Sequence, residues 1–364
     1  MDARGALGPL ENSPVMLLVT SGRRLVLWLI AAAVMVAALP PAINARQDGP
    51  EFLWLSPPTW GIASKAMMRD LQAAADRGYR LVPLPSVSFL MLVQKSADAT
   101  ERVEYVFAWT GKDMDQKAAL GYRLVNNFVM VRNKGITVRT HEYSEVATRL
   151  RQSMENELLV AARQGFRVVG LALQPIVGVR SFLTGVDDSE FVAIMERPVQ
   201  PTGAAPPEYI VLSSLKAATM QTELQAAADR GYRLFDAAWG STVLLEKTGH
   251  ADPIDYLTLS TANTATMERE MAKASGEGFR FAATLGSGFR EFVVVMQRPK
   301  GNRLRTHEQV LHAAARLGTL KRETLTRMEK GFRVVGLTYV SGFVRNPETV
   351  AILERPVQED DREH

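Results

Sequence analysis

The sequence predicts an α+β chain of six tandem strand-helix-strand-strand repeats, arranged as two lobes of three, with helices packed on largely antiparallel sheets. Three observations predict it. The decamer QAAADRGYRL occurs at 72–81 and again at 225–234. Its Gly-aromatic-Arg part recurs as Gly78-Tyr79-Arg80, Gly121-Tyr122-Arg123, Gly165-Phe166-Arg167, Gly231-Tyr232-Arg233, Gly278-Phe279-Arg280 and Gly331-Phe332-Arg333, each time after a segment of helical spacing. Finally, "RTHE" at 139 and 305, "GFRVVGL" at 165 and 331 and "ERPVQ" at 196 and 354 match the third repeat to the sixth, so a block of three was duplicated. Gly288-Phe289-Arg290 has no helix before it and reads as a turn.

Each repeat opens on a strand marked by an acid and an aromatic: Glu51-Phe52, Glu104-Tyr105, Glu142-Tyr143, Glu208-Tyr209 and Asp255-Tyr256, with Glu308-Gln309 in the sixth. The helix follows. Twelve residues before the glycine stand Ser153, Thr219, Thr266 and Thr319, expected N-caps, while Thr110 and Asp113 have capping-box spacing and Ala66 offers no cap. Four residues after that point every repeat has an acid, Asp70, Asp113, Glu157, Glu223, Glu270 or Glu323, expected in the first turn where it suits the helix dipole. Apolar residues such as Met220, Leu224, Ala227 and Ala228 form one stripe that faces a sheet. Lys117 and Arg327 interrupt it, which predicts shorter or more exposed helices in repeats two and six.

The glycine ends the helix in the left-handed conformation, the aromatic packs back on the last turn, and the arginine begins a second strand pointing the other way. A third strand completes the unit: "FLMLVQK" from Phe89, "FVMVR" from Phe128, "FVAIMER" from Phe191, "TVLLEK" from Thr242, "FVVVMQR" from Phe292 and "TVAILER" from Thr349. A unit of about 45 residues is too small for a core of its own, so neighbours are expected to cover each other's sheet edges.

Arg23 and Arg24 precede an unbroken apolar run, Leu25 to Leu39, followed by Pro40, Pro41 and a small-residue end at Ala45. Residues 1–45 therefore read as an export signal. The run is shorter than the roughly 20 residues that span a bilayer, so cleavage is expected over retention as an anchor through residues 25–39. The expected address is periplasmic or secreted, with membrane contact only through the N-terminal segment if it is uncleaved. The first lobe is expected at 46–200, a Pro/Gly/Ala-rich linker at 201–207, the second lobe at 208–358 and a polar tail at 359–364.

With 46% hydrophobic and 23% charged residues in 364, the chain has the composition of a folded protein. Its net charge is +4, and removing Arg4, Arg23 and Arg24 with Asp2 and Glu11 leaves +3. An exported protein of so small a charge is not expected to bind nucleic acid. The chain has no cysteine, which excludes disulfides, thiolate metal sites, a thiol nucleophile and a lipidated cysteine.

The Gly-aromatic-Arg units and their Lys/Arg-ended strands resemble a small bacterial domain family of unknown function, one helix on a short sheet, whose members read Gly-Trp-Glu-Leu-Val after the helix. Here Tyr-Arg or Phe-Arg replaces Trp-Glu. The resemblance covers roughly 51–357 and implies a fold and nothing catalytic.

No catalytic or metal residue and no cofactor is expected. His307 and His312 are five apart, about 140° around a helix, whereas zinc-protease histidines are four apart. His141 in the matching repeat has no second histidine, His250 lies in a loop, and His364 is terminal. No Gly-x-Ser-x-Gly elbow or phosphate loop occurs, and Ser287 and Ser341 stand where hairpin turns belong. The candidate binding residues are Arg80, Arg123, Arg167, Arg233, Arg280 and Arg333. Their plain reading is exposure, or pairing with the helix acids; the sharper one is a ladder that holds an anionic envelope polymer. The long hairpin from Ala172 to Ser189, with Ile176, Val177, Val179, Phe182 and Leu183, offers a partner-binding loop or an element buried between units. These readings lead to a non-enzymatic binding or scaffold protein of the envelope, with an unknown envelope component or protein as partner. The alternative is a hydrolase acting between the lobes.

Overall fold

Each repeat folds as a three-stranded antiparallel sheet with its third strand in the middle, so the first and second strands are edges. Repeat one comprises β1 (Phe52–Leu55), α1 (Lys65–Asp76), β2 (Tyr79–Leu81) and β3 (Met91–Lys95); repeat two, β4 (Val103–Phe107), α2 (Gly111–Ala118), β5 (Arg123–Asn126) and β6 (Val129–Asn133). Repeat three has β7 (His141–Thr148), α3 (Arg151–Arg163), β8 (Arg167–Pro175) and β9 (Ser189–Pro198); repeat four, β10 (Glu208–Ser213), α4 (Ala217–Asp229), β11 (Arg233–Ala238) and β12 (Thr242–Lys247). Repeat five has β13 (Ile254–Thr261), α5 (Thr264–Gly276), β14 (Arg280–Leu285) and β15 (Phe292–Pro299); repeat six, β16 (His307–Ala314), α6 (Leu317–Met328), β17 (Arg333–Gly342) and β18 (Arg345–Pro356).

The computed structural model describes residues 51–56, 65–84, 90–97, 101–126, 128–148, 151–175, 189–200, 203, 205–214, 216–238, 242–247, 249, 252–285, 291–302, 304–342 and 345–357. The signal, the hairpin residues 176–188, the Ser287 turn, His250, linker residues 201, 202 and 204 and the polar tail lie outside them.

Six cores hold the repeats together, and each contains one helix, a face of its own sheet and a face of the next sheet. α4 shows the pattern: Met220, Leu224, Ala227 and Ala228 meet Val243 and Leu245 of their own repeat and Tyr256, Leu285 and Val295 of the following one. Because every sheet is covered on both faces, the middle strands are continuous apolar runs instead of alternating ones. In β18, Val350 and Ile352 face α5 while Ala351 and Leu353 face α6. The cycle closes without a peptide bond: Leu320 and Met328 of α6 share a core with Leu84, Leu90 and Leu92 of repeat one, and Lys321 Nζ donates to Ser56 Oγ at 2.9 Å.

Repeats three and four meet through Met154 and Leu158 of α3 against Tyr209, Val211 and Leu244. The chain from Glu51 onward is one compact unit. Helices α1 to α5 lie against the first strand of the next sheet, whereas second strands β8, β11, β14 and β17 touch their neighbours directly. First strands and helices are thus on the outer side of the cycle and second strands on the inner side. At one end of the cycle, here called the glycine end, lie the helix C-termini, the inter-repeat loops and Glu51.

The six signature glycines all have φ between 81° and 89°. In repeat four the Gly231 amide donates to Ala228 O and the Tyr232 amide to Ala227 O, the paired bonds of a Schellman motif. Thr110 caps α2 as expected, accepting from the Asp113 amide while Asp113 accepts from the Trp109 amide. Ser153, Thr219, Thr266 and Thr319 are not caps. Their helices begin two residues earlier, because the methionine or leucine that follows is clamped between two sheets and the chain is already helical when it arrives there. Asn263 takes the cap of α5. α2 is short, at 8 residues, as expected; α6 keeps 12 and lays Arg327 over Phe332.

The repeated decamer is a junction device. Gln72 donates to Val103 O and accepts from the Tyr105 amide, and Gln225 does the same with Ile254 O and the Tyr256 amide, so one amide group covers the free edge of the next first strand. Asp76 and Asp229 hold these glutamines, and the alanines permit the close approach. In return the Tyr105 and Tyr256 hydroxyls accept the amides of Leu81 and Leu234, the decamer's last residue. Tyr143 and Tyr209 make the same latch to Leu124 and Val168.

Candidate functional site

Five of the six arginines start the second strands and Arg80 is the second residue of β2, so the cycle sets them around its inner rim at the glycine end. The helix acids are not their partners: of these only Asp113 is in a first turn, and Asp70 pairs with Arg69. A glutamate at the end of the third strand replaces them. Glu196 binds Arg123 of the preceding repeat at 3.2 Å and lies opposite Arg167 in its own sheet. Glu354 holds Arg280 at 2.8 Å and Arg333 at 2.7 Å. Glu246 lies opposite Arg233 and close to Arg167. Three glutamates therefore each sit between two neighbouring arginines.

The other three third strands have Gln94, Val131 and Gln297 at this register. Third strands supply no carboxylate at the seam between repeats six and one or at the two junctions that the decamer builds, between one and two and between four and five. Among the described residues Arg80 binds backbone carbonyls, of Ala75, Tyr79 and Glu101, and Arg233 has a contact to Tyr232 O and a buried Nη2 with no partner there. Six arginines against three glutamates leave the rim positive. Arg123 and Arg333 keep more than half of their side-chain surface exposed, at 59% and 66%.

Burial pulls the Glu354 carboxyl upward, but the hydrogen bonds from Arg280 and Arg333 outweigh it and hold the group below the usual glutamate range. Burial raises Glu246 against the pull of Arg167. The two "RTHE" histidines flank the rim: His141 Nε2 is 3.5 Å from Glu196, and burial lowers both His141 and His307, which keeps them neutral at pH 7. His307 and His312 lie on β16, where an odd spacing places them on opposite faces. Among the described residues no three metal-ligating side chains converge. At the junction of the two halves Met154 and Leu158 share a core with Tyr209.

Sequence reasoning missed the second half of the pattern. In four repeats the arginine near the end of the third strand stacks over the signature aromatic: Arg132 over Tyr122, Arg197 over Phe166, Arg298 over Phe279 and Arg355 over Phe332, at 4.2 to 4.8 Å, while Lys247 lies 5.5 Å from Tyr232. The same guanidinium pairs with the opening acid, Glu104, Glu142, Asp255 or Glu308, and donates to a free carbonyl at the end of the helix, as Arg132 does to Leu120 O. These basic residues belong to the fold, which leaves the rim arginines as the candidate site. The chain matches no protein-family model, no curated protein and no solved structure, so the reading of this site rests on its own geometry.

Proposed function

We propose that this is an exported, non-enzymatic binding or scaffold protein of the cell envelope, and that the arginine rim holds its anionic ligand. One observation carries the reading: six arginines converge on one rim with only three carboxylates between them. Guanidinium groups pre-set by backbone and glutamate contacts offer paired donors to phosphate or carboxylate at little entropic cost. Arg80 and Arg233 have no ion-pair partner among the described residues, so their charge is left for the ligand.

The test is retention on immobilised polyphosphate, together with recovery of bound material from native envelope. Changing Arg80 and Arg233 to Gln is expected to weaken retention at least about tenfold, since two charge-assisted contacts are lost. The buried Glu354 cluster is left intact in that variant. Unchanged retention by a folded Arg80→Gln/Arg233→Gln protein refutes the reading.

A further inference from the structure

We infer that the glycine end of the cycle seats on an anionic lipid surface, which deepens the proposed function by naming the partner of the rim and rests on that reading for the rim's share of the contact. Eight large apolar side chains are exposed among the described residues, and five of them, Leu120, Ile136, Val138, Val199 and Leu304, lie at this one end. Scattered apolar residues on a surface mean nothing by themselves; concentration at one end does.

Their placement suits a flat partner. Leu120 precedes Gly121, where a side chain would meet Ile136 O at 2.7 Å, and the Val199 amide donates to Thr140 O, so Leu120, Ile136, Val138 and Val199 gather around the loop between repeats two and three. Leu304, 73% exposed, is the counterpart of Val138 in the loop between repeats five and six. In a cycle of six these two loops are on opposite sides. Two separated apolar points with the rim between them fit a plane better than a groove-binding peptide.

Charge agrees. Loops 134–140 and 300–306 contain Lys134, Arg139, Lys300, Arg303 and Arg305 and no acid. Arg139 and Lys300 each engage a carboxylate, Asp115 and Asp229, while Lys134 and Arg305 have no ion pair among the described residues. Apolar tips ringed by Lys and Arg are the composition of a side that meets anionic headgroups. The chain also enters the cycle at this end, at Glu51, only eleven residues after the apolar run that ends at Leu39.

Because the chain has no cysteine, single labels report depth directly. Val138→Cys, Leu304→Cys and, on the outer face of α3, Val160→Cys would carry an environment-sensitive dye in the full chain, mixed with vesicles of phosphatidylethanolamine and phosphatidylglycerol containing nitroxide lipids. Quenching at 138 and 304 but not at 160 is expected, and quenching at all three positions or at none overturns the seating. Ile136→Asp/Val138→Asp/Leu304→Asp, with the dye at Val199→Cys, should lower quenching about tenfold or more. If Arg80→Gln/Arg233→Gln loses polyphosphate but keeps quenching at 138, the seating stands and the rim's share of it falls. If polyphosphate is held and no label is quenched, the rim stands and the seating falls.

Discussion

The junction between repeats four and five and the seam between six and one do the same job with different chemistry. At the first, Gln221 and Gln225 together bond four backbone groups of β13, and the Tyr256 hydroxyl takes the Leu234 amide. At the seam the facing strand β1 has four residues instead of eight, Phe52 stands where Tyr256 stands, and Lys321 replaces Gln221 with a single bond to Ser56. Covalent junctions are polar-latched and set in register, whereas the seam is held mainly by apolar burial of Leu320, Met328, Leu90 and Leu92. Burial is strong but not directional, so the seam is where the cycle opens first.

The largest expected effect tests that order. Leu224→Ala and Leu320→Ala remove the same side chain from sites with no exposure, and each should cost about 2–5 kcal/mol. They should differ in kind. Leu320→Ala is expected to raise amide exchange in β1 and α6 before the rest of the protein, while Leu224→Ala lowers the common denaturant midpoint. Equal exchange across all repeats in the Leu320→Ala protein would show that the seam is no weaker than its neighbours.

pH should move the covalent and non-covalent sides in opposite directions. Asp236, in β11, accepts the Leu171 amide of β8, and burial pushes its carboxyl up to about 6. Its folded-state value lies above the ordinary 3.8, so its contribution is full below that pH and is lost as pH rises through about 6, about 3 kcal/mol at most. Lys321 at the seam is lowered by burial, so its contribution is present above the ordinary lysine value and is lost as pH falls through its own. Denaturant midpoints from pH 4 to 7 should fall less in Asp236→Asn than in the wild type. Lys321→Met should flatten the alkaline limb.

Next in size is the glutamine clamp. Gln225→Ala leaves the Ile254 carbonyl and the Tyr256 amide without their partner and should cost about 1–3 kcal/mol, with exchange rising at Tyr256. Lys321→Gln is the converse and should protect β1 if a clamp can be built at the seam.

Much of this was legible in the sequence because one unit is written six times. Glycine after an apolar stripe can be read locally, and all six glycines do take the left-handed conformation. What concerns the space between repeats was harder to read. Glu196 and Glu354 are far in sequence from Arg123 and Arg280, and nothing local distinguishes a glutamate that bridges two arginines from one exposed at a strand end. The Ser and Thr caps failed for the same reason: methionines wedged between two sheets extended their helices past a locally reasonable start. Closure of the cycle depends on α6 meeting residues more than 200 positions earlier, a contact for which no sequence period is a signal.

The smallest effect is the most direct comparison of the two junctions, since it exchanges one oxygen between them. Tyr256→Phe removes the acceptor of the Leu234 amide and should cost about 1–2 kcal/mol, because that amide faces a packed junction and not water. Phe52→Tyr adds the same oxygen at the seam, where Val334 occupies the register of Leu234, and should gain about 1 kcal/mol if the strands are equally close. The gain should appear as slower exchange in β1 and at Val334, with the other junctions unchanged. A Phe52→Tyr protein that is less stable than the wild type would mean that the seam is packed too tightly for a hydroxyl, and that its fewer polar bonds reflect closer apolar contact instead of a looser joint.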